Sequence, residues 1–131
     1  MAEDLMTIRQ MCDAYDVTPR TLRFYEAREL LAPKREGQRR WFTRRDRARL
    51  TLILRGKRFG LPLEEIRQLL DLYEGDGGQI AQVERAHAVG LERLEAMRAE
   101  RDALNASIAE LERQVRWAEG AMAEAGRRRA G

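Results

Sequence analysis

From Ile80 to Met122, apolar side chains recur at alternating steps of three and four residues: Ile80, Val83, Leu94, Met97, Leu104, Ile108, Leu111, Val115, Ala118 and Met122. His87, Gly90 and Arg101 fill the remaining places of the same repeat. Held for about six heptads, this a/d spacing argues for a coiled coil. At ~1.5 Å per residue such a helix approaches ~60 Å, too long for the preceding domain to cover. A second copy must bury the seam, so the pattern calls for a homodimer with Leu94, Met97, Arg101, Leu104, Ile108, Leu111 and Val115 at its interface. In an antiparallel pair His87 of one chain lies near Val115 of the other, and Arg101 lies close to the two-fold axis. Polar seam residues of this kind fix register. Gly90 weakens the helix by about 1 kcal/mol relative to Ala.

Gly75-Asp76-Gly77-Gly78 breaks the chain just before this helix. Residues 1–75 are therefore expected to form one domain and residues 76–124 the dimerisation helix. Gly120 and Gly126 loosen its end, so residues 125–131, with Arg127-Arg128-Arg129, are expected to be a basic, disordered tail.

Charge concentrates in the first domain. The whole chain carries a net charge of +3. Between Lys34 and Arg58, however, eleven basic residues stand against only Glu36 and Asp46, leaving the rest of the chain net acidic. Concentrated positive charge attracts phosphate polyanions. Hydrophobic positions interleave throughout the segment, so it is read as folded.

Ahead of it, Thr18-Pro19-Arg20-Thr21-Leu22-Arg23-Phe24-Tyr25-Glu26 reads as a helix start. Thr18 can cap the first turn, and Pro19 suits the first helical position, where its missing N–H costs nothing. Leu22 can face inward while Arg20, Arg23 and Phe24 or Tyr25 project from other faces. An earlier helix starts at Thr7, with Gln10 as capping-box partner. Its inner face is Ile8, Met11 and Ala14 or Tyr15. Two short helices joined by a turn at Asp16-Val17 make a helix-turn-helix, in which the second helix reads DNA.

Leu30-Leu31-Ala32-Pro33 closes that unit. Lys34 to Phe42 lacks a helical period and reads as a small β-wing with a basic tip and Trp41-Phe42 packed at its base. Thr43 and Asp46 then open a third helix buried through Leu50, Ile53 and Leu54. Gly56-Lys57-Arg58-Phe59-Gly60 ends it, placing two cations in a second loop. A fourth helix follows Leu61-Pro62, with Leu63, Ile66, Leu69, Leu70 and Tyr73 facing the core. Residues 1–6 read as a frayed start.

These motifs together resemble the MerR family of transcriptional regulators. The likeness rests on Thr21-Leu22-Arg23-Phe24-Tyr25-Glu26, Leu30-Leu31 with Pro33, Arg40-Trp41-Phe42-Thr43, and Gly60 followed by Leu63-Glu64-Glu65-Ile66. It runs from about Met6 to Tyr73 and continues as architecture through the long helix. The resemblance implies a mainly α fold: a winged helix-turn-helix DNA-binding domain followed by a long dimerisation helix that pairs as an antiparallel coiled coil. It implies a homodimer on double-stranded, pseudo-palindromic promoter DNA, bending and untwisting the operator, with RNA polymerase as a further partner. Carried over by position, Thr18, Arg20, Thr21, Arg23, Phe24 and Tyr25 lie at the major groove or its phosphates. Arg39 and Arg40 belong to the first wing, Lys57 and Arg58 to the second.

Four positions depart from the family pattern. Asp16 stands where a turn glycine is common, and Glu29 replaces the glycine before Leu30. Gln38-Arg39 replaces Gly-Tyr of the wing, and Pro62 takes a Ser or Thr cap position. The run Gly37-Gln38-Arg39-Arg40, with Arg45-Asp46-Arg47, Leu54-Arg55-Gly56-Lys57-Arg58 and Asp71-Leu72-Tyr73, looks most like the branch controlling branched-chain amino-acid and related acyl-CoA degradation.

The chemistry available is narrow. Metal-sensing relatives need thiolates near the long helix, whereas the one cysteine, Cys12, sits in the first helix as a small buried residue. No metal site and no cofactor are expected. One histidine, one cysteine and no nucleophile–base spacing leave nothing to perform catalysis. No apolar run approaches the roughly 20 residues of a membrane span, and no signal-peptide core is present, so a cytoplasmic protein without a membrane partner is expected. The rival to a promoter regulator is an architectural nucleic-acid protein or coiled-coil adaptor; sequence-blind binding would mark it.

Overall fold

Threonine opens three of the helices, each by the same local chemistry. The computed structural model describes residues 4–74 and 80–131, and the chain divides into two compact units, Met1–His87 and Ala88–Gly131. Helix α1 (Ile8–Tyr15) starts on a capping box in which Thr7 Oγ1 accepts from the Gln10 N–H and Gln10 Oε1 accepts from the Thr7 N–H. Helix α2 (Pro19–Ala27) starts on Thr18, whose hydroxyl accepts from the Thr21 N–H at 3.1 Å, with Pro19 in the first turn. Two strands follow, β1 (Lys34–Glu36) and β2 (Arg39–Trp41), as an antiparallel hairpin. Helix α3 (Arg44–Arg58) starts on a second capping box, Thr43 with Asp46. Helix α4 (Leu63–Glu74) completes the first unit's fold, and α5 (Ile80–Ala130) runs into the second.

The hairpin register pairs Lys34 with Trp41, Arg35 with Arg40 and Glu36 with Arg39, leaving Gly37-Gln38 as a two-residue loop. Such loops need positive φ, and Gly37 supplies it at +64°. Met6 joins the wing through an antiparallel bridge to Phe42, with N–H to carbonyl distances of 3.0 and 2.8 Å. Met6 is therefore tied beside the wing and the Asp4 carbonyl accepts from Arg47 Nη1 at 2.7 Å, so residues 4–6 are not frayed; residues 1–3 of the expected frayed start lie outside what is described.

The helix ends share one geometry. At the end of α2 the Leu30 N–H reaches the Tyr25 carbonyl and the Glu29 N–H reaches the Glu26 carbonyl, with Glu29 at φ +61°. At the end of α3 the Leu61 N–H reaches Gly56 and the Gly60 N–H reaches Lys57, with Gly60 at φ +80°. Both are Schellman closures, which require a left-handed residue. Asp16 holds φ +55° where α1 ends. Asp16 and Glu29 thus occupy left-handed positions in which the family's glycine carries no Cβ penalty. The same closure corrects the expected second loop: α3 continues through Arg58, so Lys57 and Arg58 stand in its last turn.

Met11, Leu22, Tyr25, Leu30, Leu31, Phe42, Leu50, Ile53, Ile66 and Leu70 form the core. It joins all four helices to the base of the wing, as the apolar spacing of α1, α3 and α4 anticipates. Trp41 is half-buried at that base. The buried Asp46 carboxylate is fully used: Oδ1 accepts from the Ala32 N–H at 2.9 Å, and Oδ2 from the Thr43 N–H and hydroxyl at 3.0 Å each. The expected break at Gly75-Asp76-Gly77-Gly78 and the expected core-facing side chain of Tyr73 lie outside what is described.

The second unit is helix alone. None of α5 is buried, and the seam residues Leu94, Met97, Leu104, Ile108, Leu111 and Val115 all lie open along it, Leu111 at 64% exposure. Arg101 is exposed among them, engaged with its neighbour Asp102 at 3.0 Å. The expected disordered tail is not seen. The helix continues past Gly126 to Ala130, and Glu124 pairs with Arg127 and Arg128 one turn on, as such spacing favours.

Candidate nucleic-acid interface

Helix α2 separates its functions by angle. At 100° per residue, Leu22 and Tyr25 point one way while Arg20, Arg23, Phe24 and Ala27 point the other. The burial pattern follows: Leu22 and Tyr25 are enclosed, whereas Arg20, Arg23, Phe24 and Ala27 are exposed. Arg20 and Arg23 form no ion pair among the described residues. Two guanidiniums are thus left to face a partner.

Tyr25 corrects an expectation. Its side chain is 1% exposed, and its hydroxyl is enclosed without a hydrogen bond. The reason is register: Tyr25 falls three residues after Leu22, on the face turned to the core. The aromatic that does project is Phe24. Thr18 and Thr21 sit at the start of the helix with their hydroxyls 2.9 Å apart.

The wing is fastened to α2 by one carboxylate. Glu26 accepts from Arg40 Nε at 2.5 Å through one oxygen and from Arg35 Nη1 at 2.9 Å through the other. Burial alone would raise the Glu26 pKa, but the hydrogen bonds from Arg40 and Arg35 and their charges outweigh it and hold the carboxyl below its usual range. Arg40 therefore serves first as the wing's anchor. Arg39 stays exposed, its guanidinium 5.0 Å from the Trp41 ring centre, while Trp41 Nε1 donates to Glu36 at 3.3 Å. Thr7, Ile8, Arg9, Gln38, Arg39 and Arg40 line an open groove of about 340 Å³ between the start of α1 and the wing.

Behind this surface, Arg49 holds the frame. It is largely buried on α3, donates to the Leu30 carbonyl at 2.6 Å and pairs with Glu74 at the end of α4. Arg45 reaches the same Glu74 at 2.6 Å. Burial would raise the Glu74 pKa, but these two arginines more than reverse it. Lys57 and Arg58 are exposed. Cys12 is half-buried; burial, then Asp13, pushes its thiol up, against a smaller opposing pull from Arg23. Among the described residues no three His, Cys, Asp or Glu side chains gather as a metal-binding group. No helix among them is long and apolar enough to cross a membrane.

Sequence reasoning found Arg20, Arg23, Phe24, Arg39, Lys57 and Arg58 as exposed groups and missed the fasteners. Glu26, Arg35 and Arg49 find partners from nine to twenty-five positions away, beyond the reach of local periodicity. The uncompensated carboxylate of Glu26, on a helix otherwise bearing arginines, was the one available sign.

A helix-turn-helix with a two-stranded wing, followed by a long helix with an open apolar stripe, is a winged helix-turn-helix of the kind found in transcription regulators. Family models agree: "MerR HTH family regulatory protein" matches residues 6–72, and "MerR, DNA binding" matches residues 47–114. The chain belongs to the MerR family. It is 34% identical over 67 residues to the HTH-type transcriptional regulator ZntR of Escherichia coli K12, covering 50% of this chain and 48% of that protein. The O157:H7 protein matches equally. The chain thus spans about half the length of the curated relatives it matches.

Two solved structures share the fold. One is a MerR family regulator from Bacillus cereus, at TM-score 0.64 and 24% identity, covering 82% of this chain and 78% of that one. The other is HiNmlR, described as a MerR family regulator lacking the sensor domain and bound to promoter DNA. It gives TM-score 0.58 at 23% identity, covering 85% and 78% of the two chains.

Proposed function

We propose that this protein is a sequence-specific transcriptional regulator. It binds a pseudo-palindromic promoter as a homodimer and distorts the DNA to repress or activate transcription. The observation that carries the reading is the outward face of α2: Arg20 and Arg23 exposed and without an ion pair among the described residues, beside a basic wing locked to the same helix. Family membership supports it, and so does HiNmlR, which was captured on promoter DNA.

In this reading Arg20 and Arg23 meet guanine edges, the commonest specific contact of arginine in the major groove. Thr18, Thr21, Arg39, Lys57 and Arg58 set position through phosphates. Arg40 contributes by holding the wing. The open seam from Leu94 to Val115 is covered by a second copy, so that two reading helices act together. RNA polymerase is the partner whose access changes, and the cytoplasm is where such a complex works.

Footprinting on the promoter of the protein's own gene and its neighbours tests this, with promoters of acyl-CoA degradation genes included because of the narrower likeness. Protection of a palindrome at moderate salt is expected. Arg20→Ala should change the preferred sequence, whereas Lys57→Ala should weaken all sites alike and lower the salt slope by about one. Length-dependent, sequence-blind protection would instead mark an architectural protein and end the regulator reading.

A further inference from the structure

Phe24 is the unusual member of the outward face of α2. Its neighbours there are the cations Arg20 and Arg23 and the small Ala27, yet the ring stands 42% exposed. The core does not need it, since Leu22 and Tyr25 already fill the inward side. The ring also has neighbours of its own. The Arg28 guanidinium lies over it, 5.0 Å from the centroid, and the Tyr25 ring packs at 5.7 Å and 55°. The Arg28 backbone is held where its carbonyl accepts from Arg67 Nη2 at 2.5 Å. The ring thus has packing partners on two sides, and the rest of its surface is exposed on the face that carries Arg20 and Arg23.

A helix face laid in a major groove meets donors, acceptors and one apolar feature, the 5-methyl group of thymine. Arginine serves the first two and cannot serve the third. We infer that Phe24 reads a thymine methyl in each operator half-site, next to the bases met by Arg20 and Arg23. The inference rests on the DNA-reading function proposed above and adds the base that this aromatic selects.

The test modifies the DNA, so the protein can be used unaltered. Each thymine of the protected site is replaced singly by deoxyuridine, which removes only the methyl, and affinity is measured at fixed salt. One thymine per half-site should lose about fourfold on losing its methyl, the value of one buried carbon. Phe24→Ala should still protect the site but no longer distinguish thymine from uracil there, while Phe24→Leu should keep the distinction. If no thymine is sensitive, or if the sensitivity persists in Phe24→Ala, the inference is overturned and the regulator reading stands. If the unaltered protein protects no specific site, the regulator reading itself fails and takes this inference with it.

Discussion

Glu26 and Tyr25 are adjacent on α2 and point to different tasks. Glu26 is held below its ordinary pKa of 4.5 by Arg40 and Arg35, against the opposing effect of burial. A carboxyl depressed on folding stabilises above its unfolded pKa, and that stability is lost as pH falls through the lower folded value. Urea midpoints should therefore fall from about pH 5 downward, and Glu26→Gln should flatten part of that slope. The same sign holds for Glu74 between Arg49 and Arg45. These comparisons need fixed protein concentration, because association shifts apparent stability. Tyr25 makes the opposite case. Its enclosed hydroxyl lacks a partner, and such a group costs roughly 1–3 kcal/mol. Tyr25→Phe should raise the thermal midpoint and leave DNA affinity unchanged; a tenfold loss of affinity would return the phenol to the DNA surface.

At the scale of elements, helix starts were legible to the residue, and helix ends were legible as turns at Asp16-Val17 and Gly56–Gly60 but not in their backbone geometry. Thr7, Thr18 and Thr43 act on N–H groups three residues ahead, so the whole device lies in one short string. The left-handed closures were harder to see: Asp16 is of a type that tolerates that backbone without demanding it, and Glu29 is of a type that avoids it. Comparison with the family pattern located them as missing glycines, and the φ values explain why glycine suits there. Glu29→Gly should stabilise by roughly 0.5–1 kcal/mol in urea unfolding, relief of the Cβ clash outweighing the added freedom of the unfolded chain. Gly56 answers differently. A Cβ there would lie 2.7 Å from Ile66 Cγ1 and 3.1 Å from its Cδ1, and Ile66 is fully buried. Gly56→Ala should thus cost about 1–2 kcal/mol, the overpacking exceeding the gain in helix propensity. The Met6 bridge to Phe42 was invisible for a simpler reason: its two strands are thirty-six residues apart in a chain whose early segment carries no alternation.

For the molecule as a whole, the strongest pattern in the sequence is also the least satisfied in a single chain. Heptad spacing gave the long helix, and its apolar stripe stays open in the second unit. Leu104→Asp with Ile108→Asp should leave the DNA-binding unit folded and halve the mass found by sedimentation at micromolar concentration. A doubly substituted protein that remains a dimer would place the interface elsewhere. The candidate surface was legible in its charges and illegible in its fasteners, since charges are counted along the chain and ion pairs form across it. Arg49 shows what those fasteners do mechanically. One guanidinium grips the carbonyl just past α2 and the carboxylate closing α4. The ends of α2 and α4 are therefore tied to one side chain on α3, so the two helices share a single rivet rather than separate fastenings.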